Sequence, residues 1–399
     1  MARCWGRPVS DADATSGSSS GSGSGGGSGS ELKRLAGIVA GWLTESGIEH
    51  EGPLTLTRVG VGQSNLTYAV ADGTGRPDRR WVLRRPPLGH LLASAHDVAR
   101  EARIMTALRD SEVPVPQVIG VWTVDEVPMV LMEFVDGLVL DRLEVVEGVA
   151  EPTRHAVGLA VARALSLVHT VDLEATGLID LASHKPYAER QLKRWSTQWQ
   201  HSKTRESADL ETLTARLAAA VPEQRELTLV HGDFHLRNVI VRPEDGSVAT
   251  VLDWELCTLG DPLADLGTLL AYWPEAGEPG AGLLSFSTLP GFPDREEMAA
   301  AYLEASGRDG SALGFWHALG LWKIAIIAEG VLRRIQDEPR NRAAAYAPTV
   351  DQVDAMIAKA LETLGRPSTP AVSSTPAVSS TTAVPSTSAA PTTQTTPKA

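Results

Sequence analysis

Hydrophobic positions in the first third of the chain change from helical spacing to short strands. Ser30 is followed by apolar residues at helical spacing, which predicts a helix that Ser30 caps. From Leu54 the sequence becomes β-rich, with three short segments separated by Gly-containing turns, a pattern typical of an antiparallel sheet. Residues 97–110 return to helical spacing, and strands are predicted over 117–125 and 128–137. We expect a small antiparallel sheet with a helix packed on it.

The rest of the pattern is mostly helical. Only residues 227–253 contain strand-like segments, and helical spacing recurs on both sides of them. A small sheet followed by a large helical region predicts an α+β fold of two lobes with a cleft between them. The predicted helices cover 154–172, 187–204, 208–221, 295–307 and 315–335.

Composition sets the limits of the folded region. Residues 14–30 are rich in Gly and Ser, whereas 366–399 are rich in Ser, Thr, Pro and Ala. Such segments bury too little apolar surface to offset the entropy of ordering. We therefore expect residues 1–30 and 366–399 to be disordered, 31–135 to form an N-terminal lobe, and 136–365 to form a C-terminal lobe.

The folded region is strongly acidic. Residues 31–365 contain 32 basic and 47 acidic side chains, and the whole chain has a net charge of -13. A surface of this charge repels phosphate backbones, so nucleic acid and anionic membranes are poor partners for it. A locally basic pocket remains compatible with this balance.

Cysteine usage and hydropathy predict a soluble, cytoplasmic protein. The two cysteines, Cys4 and Cys257, are too few for a disulfide framework. The N-terminus lacks a signal-peptide pattern, and the most apolar late stretch, 318–332, is interrupted by Lys323 and Glu329.

The chemistry is concentrated in the stretch LVHGDFHLRNVIV, residues 229–241. It predicts a polar loop that enters a short hairpin, and the second strand of that hairpin delivers Asp253. Asp233, Asn238 and Asp253 can then converge at one end of the hairpin. Oxygen ligands of this kind suit Mg²⁺, which binds through one or two carboxylates and substrate phosphates.

The spacing of these residues is the spacing that kinases use. An Asp, an Asn five positions later and a further Asp after a hairpin supply a catalytic base and two metal ligands. The alternative is that Asp and Asn only form turns at the ends of strands. Three such residues together, preceded by His231 and Gly232, favour the kinase interpretation.

A Gly-rich turn and an ion pair complete the kinase pattern. The stretch VGVGQSNLTY contains Gly60 and Gly62, which allow close backbone approach to phosphate, and Ser64 and Asn65, which can donate hydrogen bonds. Taken alone, this is an ordinary hairpin turn.

The third predicted strand offers Arg84 as a phosphate-binding cation, and the following helix offers Glu101 as its partner. The alternatives are an ordinary surface pair, and Arg85 in place of its neighbour.

These motifs resemble the aminoglycoside phosphotransferase and choline kinase-like superfamily, whose members have a protein-kinase-like, two-lobed fold. The segments HGDFHLRN and LDWELCTLGDPLADLG carry the resemblance. The segments WVLRRPPLG, LPGFP and GVLRRI are similar to the branch that includes the kinase-like domain of acyl-CoA dehydrogenase family proteins. The resemblance covers about residues 31–364.

The resemblance implies ATP and Mg²⁺ as cofactors, with nucleotide in the N-terminal lobe and catalysis and acceptor binding in the C-terminal lobe. The implied catalytic base is Asp233, the implied Mg²⁺ ligands are Asn238 and Asp253, and Arg84 with Glu101 is the implied phosphate-positioning pair. The backbone of Glu133 to Val135 is implied to contact adenine, and His231 to support the loop. Asp261 and Asp265 are implied to accept hydrogen bonds from the loop backbone; the alternative is that this segment forms a helix N-cap.

The acceptor is predicted to be a small molecule with a hydroxyl group. Residues 185–205 mix basic side chains with Trp195 and Trp199, which could bind an anionic acceptor such as a hydroxyacyl-CoA or a hydroxy acid. An amphipathic helix with a solvated basic face is the alternative. Two other functions stay open: an aminoglycoside-type antibiotic kinase, and a catalytically silent kinase-like binding module. The basic residues are Lys185, Arg190, Lys193, Arg194, His201, Lys203 and Arg205.

Overall fold

A computed structural model describes residues 27–59, 65–87, 97–278, 286–338 and 347–366. The expected disorder of residues 1–26 and 367–399 lies outside these ranges, as do Gly60, Gly62 and Ser64.

The N-terminal lobe contains an antiparallel sheet of five strands in the order β1-β2-β3-β5-β4. Helix α1 begins at Gly27, so the prediction that Ser30 caps it, with residues 27–30 disordered, is wrong. Helix α2 begins after Asp97, whose carboxylate accepts a hydrogen bond from the backbone N–H of Arg100 (2.9 Å). The elements are α1 (Gly27–Glu45), β1 (Thr55–Val59), β2 (Leu66–Ala71), β3 (Arg80–Arg85), α2 (Val98–Leu108), β4 (Val118–Val124) and β5 (Val127–Glu133).

Strand β3 shows how alternation distributes side chains between the two faces of this sheet. Trp81 and Leu83 pack in the hydrophobic cluster that contains α1, whereas Val82 packs in the cluster that contains α2. The next two residues continue the alternation. Arg84 therefore lies on the α2 face, toward the other lobe, and Arg85 lies on the α1 face.

The C-terminal lobe is mostly helical, as predicted. It also contains helices α3, α7 and α10, which the apolar spacing had not indicated, and a strand, β9, which pairs with β6. Strands β7 and β8 form the predicted hairpin. The elements are α3 (Leu143–Glu147), α4 (Glu151–His169), α5 (Tyr187–Ser202), α6 (Ala208–Ala219), β6 (Thr228–Val230), β7 (Val239–Val241), β8 (Val248–Val251), β9 (Thr258–Gly260), α7 (Pro262–Ala271), α8 (Arg295–Ser306), α9 (Leu313–Asp337) and α10 (Val350–Gly365).

Helices α7 and α9 cross at two glycines. A Cβ atom at Gly267 would overlap the backbone of Trp316, and one at Gly320 would lie 2.7 Å from the carbonyl oxygen of Gly267. The two backbones are therefore in direct contact. Helix α9 is long and apolar enough to cross a membrane by composition, but 78% of its most apolar window is buried inside the protein. It is the central helix of this lobe.

We predict that Gly320→Ala lowers the free energy of unfolding by about 1–3 kcal/mol, because the added methyl group forces α7 and α9 apart. The measurement is chemical denaturation followed by tryptophan fluorescence. Gly330→Ala in the same helix is the matched control, since its Cβ would make an ordinary contact of 3.6 Å with Ser202. The control should be neutral or stabilising by up to about 1 kcal/mol. Equal stability of the two variants would contradict the crossing.

Candidate active site

The predicted loop follows β6 and is built around a glycine. Gly232 has a φ of 83°, and a Cβ atom there would lie 2.7 Å from the carbonyl oxygen of Leu256. Only glycine fits both requirements. The loop then passes through a short 3-10 helix (Leu236–Asn238) into β7.

His231 is the internal support of the loop, as the resemblance implied. Its ring is fully buried between Phe234 and Trp254, with centroid distances of 5.5 and 4.8 Å. Nε2 lies 2.9 Å from the carbonyl oxygen of Leu252, and Nδ1 accepts a hydrogen bond from the backbone N–H of Asp233 (3.3 Å). Burial lowers the pKa of His231, so the ring is neutral and makes both bonds.

Asp265 on α7 fixes the loop from outside. Its carboxylate accepts hydrogen bonds from the backbone N–H groups of His231 (2.5 Å) and Gly232 (2.9 Å). Burial would raise the pKa of Asp265, but His169, 3.4 Å away, and the loop N–H groups lower it. Asp261 does not contact the loop in this way. Its side chain caps α7 by accepting from the backbone N–H of Leu263 (3.0 Å), which is the alternative given above.

Asp233 and Asn238 face each other across the loop. The amide nitrogen of Asn238 donates to the backbone oxygen of Asp233 (2.9 Å) and approaches its carboxylate (3.3 Å). Because both partners are acceptors, the amide nitrogen points toward Asp233 and leaves the amide oxygen as a free ligand atom.

The carboxylate of Asp233 is held in its ionised form. Burial would raise its pKa, but His235, whose Nε2 lies 3.4 Å from Oδ2, and Lys323 lower it below its usual range. The side chain is nevertheless 26% exposed, so a substrate can reach it. Sequence reasoning missed Lys323 and His235 as neighbours of Asp233. The signal for Lys323 was a charge within an apolar helical stretch.

Arg84 joins both lobes at the site. Its Nε lies 2.9 Å from the carboxylate of Glu101 on α2, and its Nη2 donates to Asp253 at 2.5 Å. Asp253 follows β8 in a left-handed backbone conformation, with a φ of 66°. The structure thus places the predicted pair together and adds Asp253 to it. Arg85 points to the opposite face, where Nη1 lies 3.6 Å from Glu31.

A second set of contacts links the lobes beside this ion pair. Arg100 on α2 donates to the carbonyl oxygen of Cys257 (2.6 Å), and the amide nitrogen of Asn65 donates to Glu255 (3.3 Å). Burial and the adjacent Asp253 raise the pKa of Glu255 to about 7. Sequence reasoning missed Glu255 and Arg100. The side chain of Asn65, predicted to face phosphate, is here directed at Glu255.

The predicted adenine contact, Glu133 to Val135, lies at the end of β5. The backbone N–H of Glu133 donates to the carbonyl oxygen of Gln117 (2.9 Å), so it is used within the sheet. Val135 lies two residues beyond the end of the strand.

Only part of the basic segment, residues 185–205 on and beside α5, is free to bind an acceptor. Arg190 donates to the carbonyl oxygen of Leu259 (2.6 Å), Lys203 pairs with Glu206 (2.8 Å), and Arg205 pairs with Asp354 (2.5 Å). Three members of the predicted basic surface therefore bind the protein itself. Arg194 is exposed beside Trp195, with its guanidinium carbon 5.4 Å from a ring centroid. The ammonium group of Lys323 lies 5.7 Å from a Trp195 centroid.

The donor set fits a magnesium ion that is shared with a substrate phosphate. The backbone N–H of Leu252 donates to the carbonyl oxygen of Asn238 (2.8 Å), which brings the next residue, Asp253, beside Asn238. Within the described ranges, no three or more His, Cys, Asp or Glu side chains form a metal-binding group. An amide oxygen and one carboxylate suit Mg²⁺, which takes its other ligands from water and phosphate.

Comparison with known proteins gives one family and one fold. The Phosphotransferase enzyme family (APH) matches residues 55–316. The chain is 36% identical to acyl-CoA dehydrogenase family member 10 of Mus musculus over 303 residues, which cover 72% of this chain and 27% of that protein. It is 32% identical to acyl-CoA dehydrogenase family member 11 of Homo sapiens over 311 residues, covering 76% and 39%. The chain thus spans well under half the length of these relatives.

Solved structures of similar fold support the same assignment. A candidate aminoglycoside phosphotransferase from Ralstonia eutropha is 28% identical, with a TM-score of 0.64 over 82% of this chain and 97% of its own. Choline kinase from Cryptosporidium parvum is 12% identical, with a TM-score of 0.56 over 82% and 94%. The predicted resemblance and the two-lobed, kinase-like α+β fold are confirmed.

We predict that Arg84→Met lowers the free energy of unfolding by about 3–5 kcal/mol, because it leaves the buried carboxylate of Glu101 without its partner. Thermal and chemical denaturation measure the loss. Arg85→Met is the matched control. Arg85 is also buried, but its 3.6 Å partner Glu31 is half-buried, so the substitution leaves no fully buried carboxylate unpaired and should cost less than about 1 kcal/mol.

The destabilisation should depend on pH. Burial raises the pKa of Glu101 above its usual 4.5, so the stability that Glu101 contributes is present below 4.5 and is lost as pH rises through its folded pKa. Removing Arg84 raises that pKa further. The Arg84→Met deficit should therefore be larger at pH 7.5 than at pH 5, and a deficit independent of pH would contradict the pairing.

Proposed function

Because the chain belongs to the Phosphotransferase enzyme family, we propose that it transfers the γ-phosphoryl group of ATP to a hydroxyl group of a small molecule. One observation carries the proposal. Asp233 and Asn238 in the loop are held beside Asp253, and Asp253 is bound by Arg84 from the opposite lobe. Phosphoryl transfer needs this kind of positioning and charge neutralisation more than it needs covalent chemistry.

Asp233 would receive the proton of the acceptor hydroxyl. Its lowered pKa keeps it ionised and able to accept a hydrogen bond over the whole physiological range. The amide of Asn238 fixes the direction of this carboxylate, and His231 fixes the backbone that carries it. These contacts orient the acceptor oxygen before transfer.

Asn238 and Asp253 would hold Mg²⁺, which supplies neutralisation of the charge on the β- and γ-phosphate oxygens when it is bound. Arg84 would bind phosphate oxygens through its guanidinium group. Glu101 forms an ion pair with the guanidinium group of Arg84 on its Nε side and would thereby orient the remaining N–H groups toward the cleft. Asp253 is the present partner of Nη2, so this bond rearranges when nucleotide and metal enter.

We propose an anionic acceptor, either a hydroxyacyl-CoA or a related hydroxy acid. Arg194 and Lys323 place positive charge beside Trp195, and Lys323 also contacts the loop that carries Asp233, at the carbonyl oxygen of Gly232. An anionic group and an acyl chain match a cation beside an aromatic ring. The names of the curated relatives, acyl-CoA dehydrogenase family members 10 and 11, point to the same chemical class.

An aminoglycoside-type kinase is the second candidate. The net charge of -13 and the likeness to the Ralstonia eutropha structure favour a cationic acceptor. The cations beside Trp195 oppose it locally. A silent binding module does not account for the Asp233 and Asn238 pair, because nucleotide binding alone has no need of a base.

The proposed compartment is the cytoplasm. Cys257 is a free and buried thiol, which is usual in reducing compartments. Burial raises its pKa, so it is unreactive.

We predict that Asp233→Asn lowers acceptor-dependent ATP consumption by about 10²–10⁴-fold, because the acceptor hydroxyl loses its base. The measurement is ADP release with a panel of hydroxyacyl-CoAs, hydroxy acids, aminoglycosides and choline. Asp110→Asn, which changes an exposed carboxylate at the end of α2, is the matched control and should retain wild-type turnover.

The same panel separates the two candidate acceptors. Stimulation by hydroxyacyl-CoAs or hydroxy acids supports the first, and stimulation by aminoglycosides supports the second. The proposal fails if no compound raises wild-type ATP consumption above that of Asp233→Asn.

A further inference from the structure

Helix α9 carries a lysine in the core of the C-terminal lobe. Lys323 is only 9% exposed, and burial lowers its pKa while Asp233 and Asp265 oppose that effect. Buried ammonium groups are costly unless they are paired. In the part of the chain that the structure describes, its Nζ donates one hydrogen bond, to the carbonyl oxygen of Gly232 (2.7 Å). The buried ammonium group of Lys323 therefore binds a single backbone carbonyl oxygen among the described residues.

That carbonyl belongs to the peptide bond between Gly232 and Asp233. The N–H of the same peptide donates to Nδ1 of His231 (3.3 Å), so both ends of the group are bound. The preceding N–H, that of Gly232, is bound by Asp265 (2.9 Å). Rotation about the backbone dihedrals of Gly232 would move Asp233, and these three bonds oppose it.

The helix crossing explains how Lys323 reaches the loop. Gly267 on α7 and Gly320 on α9 bring the two backbones into contact. Asp265 lies two residues before the first glycine, and Lys323 lies three residues after the second. The crossing thus delivers an acceptor from α7 and a donor from α9 to the two sides of Gly232.

Gly232 needs this support because of its conformation. Its φ of 83° is available to glycine, which is also the most flexible residue. A flexible residue directly before the proposed base would let Asp233 move relative to Asn238. Fixing Gly232 from both sides removes that freedom. The ammonium group of Lys323 also lies 5.7 Å from a ring centroid of Trp195.

We propose that Lys323 is a positioning residue of the phosphotransfer reaction, which fixes the Gly232–Asp233 peptide so that Asp233 is aligned for the acceptor hydroxyl. The inference rests on the proposed function, since alignment matters only if Asp233 is the base. A positioning role and a purely structural role of Lys323 predict different effects of its substitution. Positioning predicts a loss of kcat without a matching loss of stability.

The test compares Lys323→Met, which keeps the shape of the side chain and removes the donor, with Lys323→Arg, which keeps a charged donor. We expect Lys323→Met to lower kcat about 10- to 100-fold, with KM for ATP changed less than about threefold. Its melting temperature should stay at or above the wild-type value, because an apolar side chain replaces a buried charge. Lys323→Arg should retain more of kcat than Lys323→Met.

The matched control is Lys33→Met, which changes an exposed lysine on α1 and should leave kcat, KM and melting temperature unchanged. A wild-type kcat in Lys323→Met would overturn the inference. So would melting temperatures that fall together with kcat in both Lys323 variants, because Lys323 would then only support folding. A wild-type protein with no acceptor-dependent turnover would instead refute the proposed function, and the two failures are thus distinct.

Discussion

The guanidinium group of Arg84 is the interaction on which the arrangement of the two lobes at the site depends. It is bound by Glu101 from its own lobe and by Asp253 from the other, at 2.9 and 2.5 Å. The buried carboxylate of Glu101 depends on this cation, because an unpaired charge at that depth is costly. The pairing therefore offsets part of the negative charge of the two carboxylates and sets β3, α2 and Asp253 in one relative position. In the proposed function, a phosphate group would take the place of Asp253 beside Arg84, and a metal ion would take the place of Arg84 beside Asp253.

The loop that carries Asp233 and Asn238 depends on a second constraint, the close approach of α7 and α9. Gly267 and Gly320 allow it, and Asp265 and Lys323 then meet at Gly232. The loop is thus held by long-range contacts from the C-terminal helices, whereas Arg84 ties the same site to the N-terminal sheet. The site lies where these two sets of contacts meet. Arg84 fixes Asp253, whereas Asp265 and Lys323 fix the loop before Asp233.

Local patterns in the sequence predicted much of this. The spacing of Asp233, Asn238 and Asp253 located the loop and hairpin, and alternation along β3 could have separated Arg84 from Arg85. Helix α7 was indicated only by the alternative N-cap at Asp261, because it is buried on nearly every side and so lacks an amphipathic pattern. Helix α10 carried a usable signal, the capping box that begins at Thr349. Lys323 could not be assigned, because its partner lies 91 residues away in sequence.

The most direct test of the account is the Mg²⁺ dependence of ATP binding, measured by calorimetry on the wild-type chain and on Asp253→Asn. The account predicts that Mg²⁺ strengthens ATP binding to the wild type by about tenfold or more, and that Asp253→Asn loses most of this gain because a charged oxygen ligand is removed. Equal ATP affinity with Mg²⁺ and with a chelator, or an undiminished Mg²⁺ effect in Asp253→Asn, would contradict the assignment of this site to metal-assisted phosphoryl transfer.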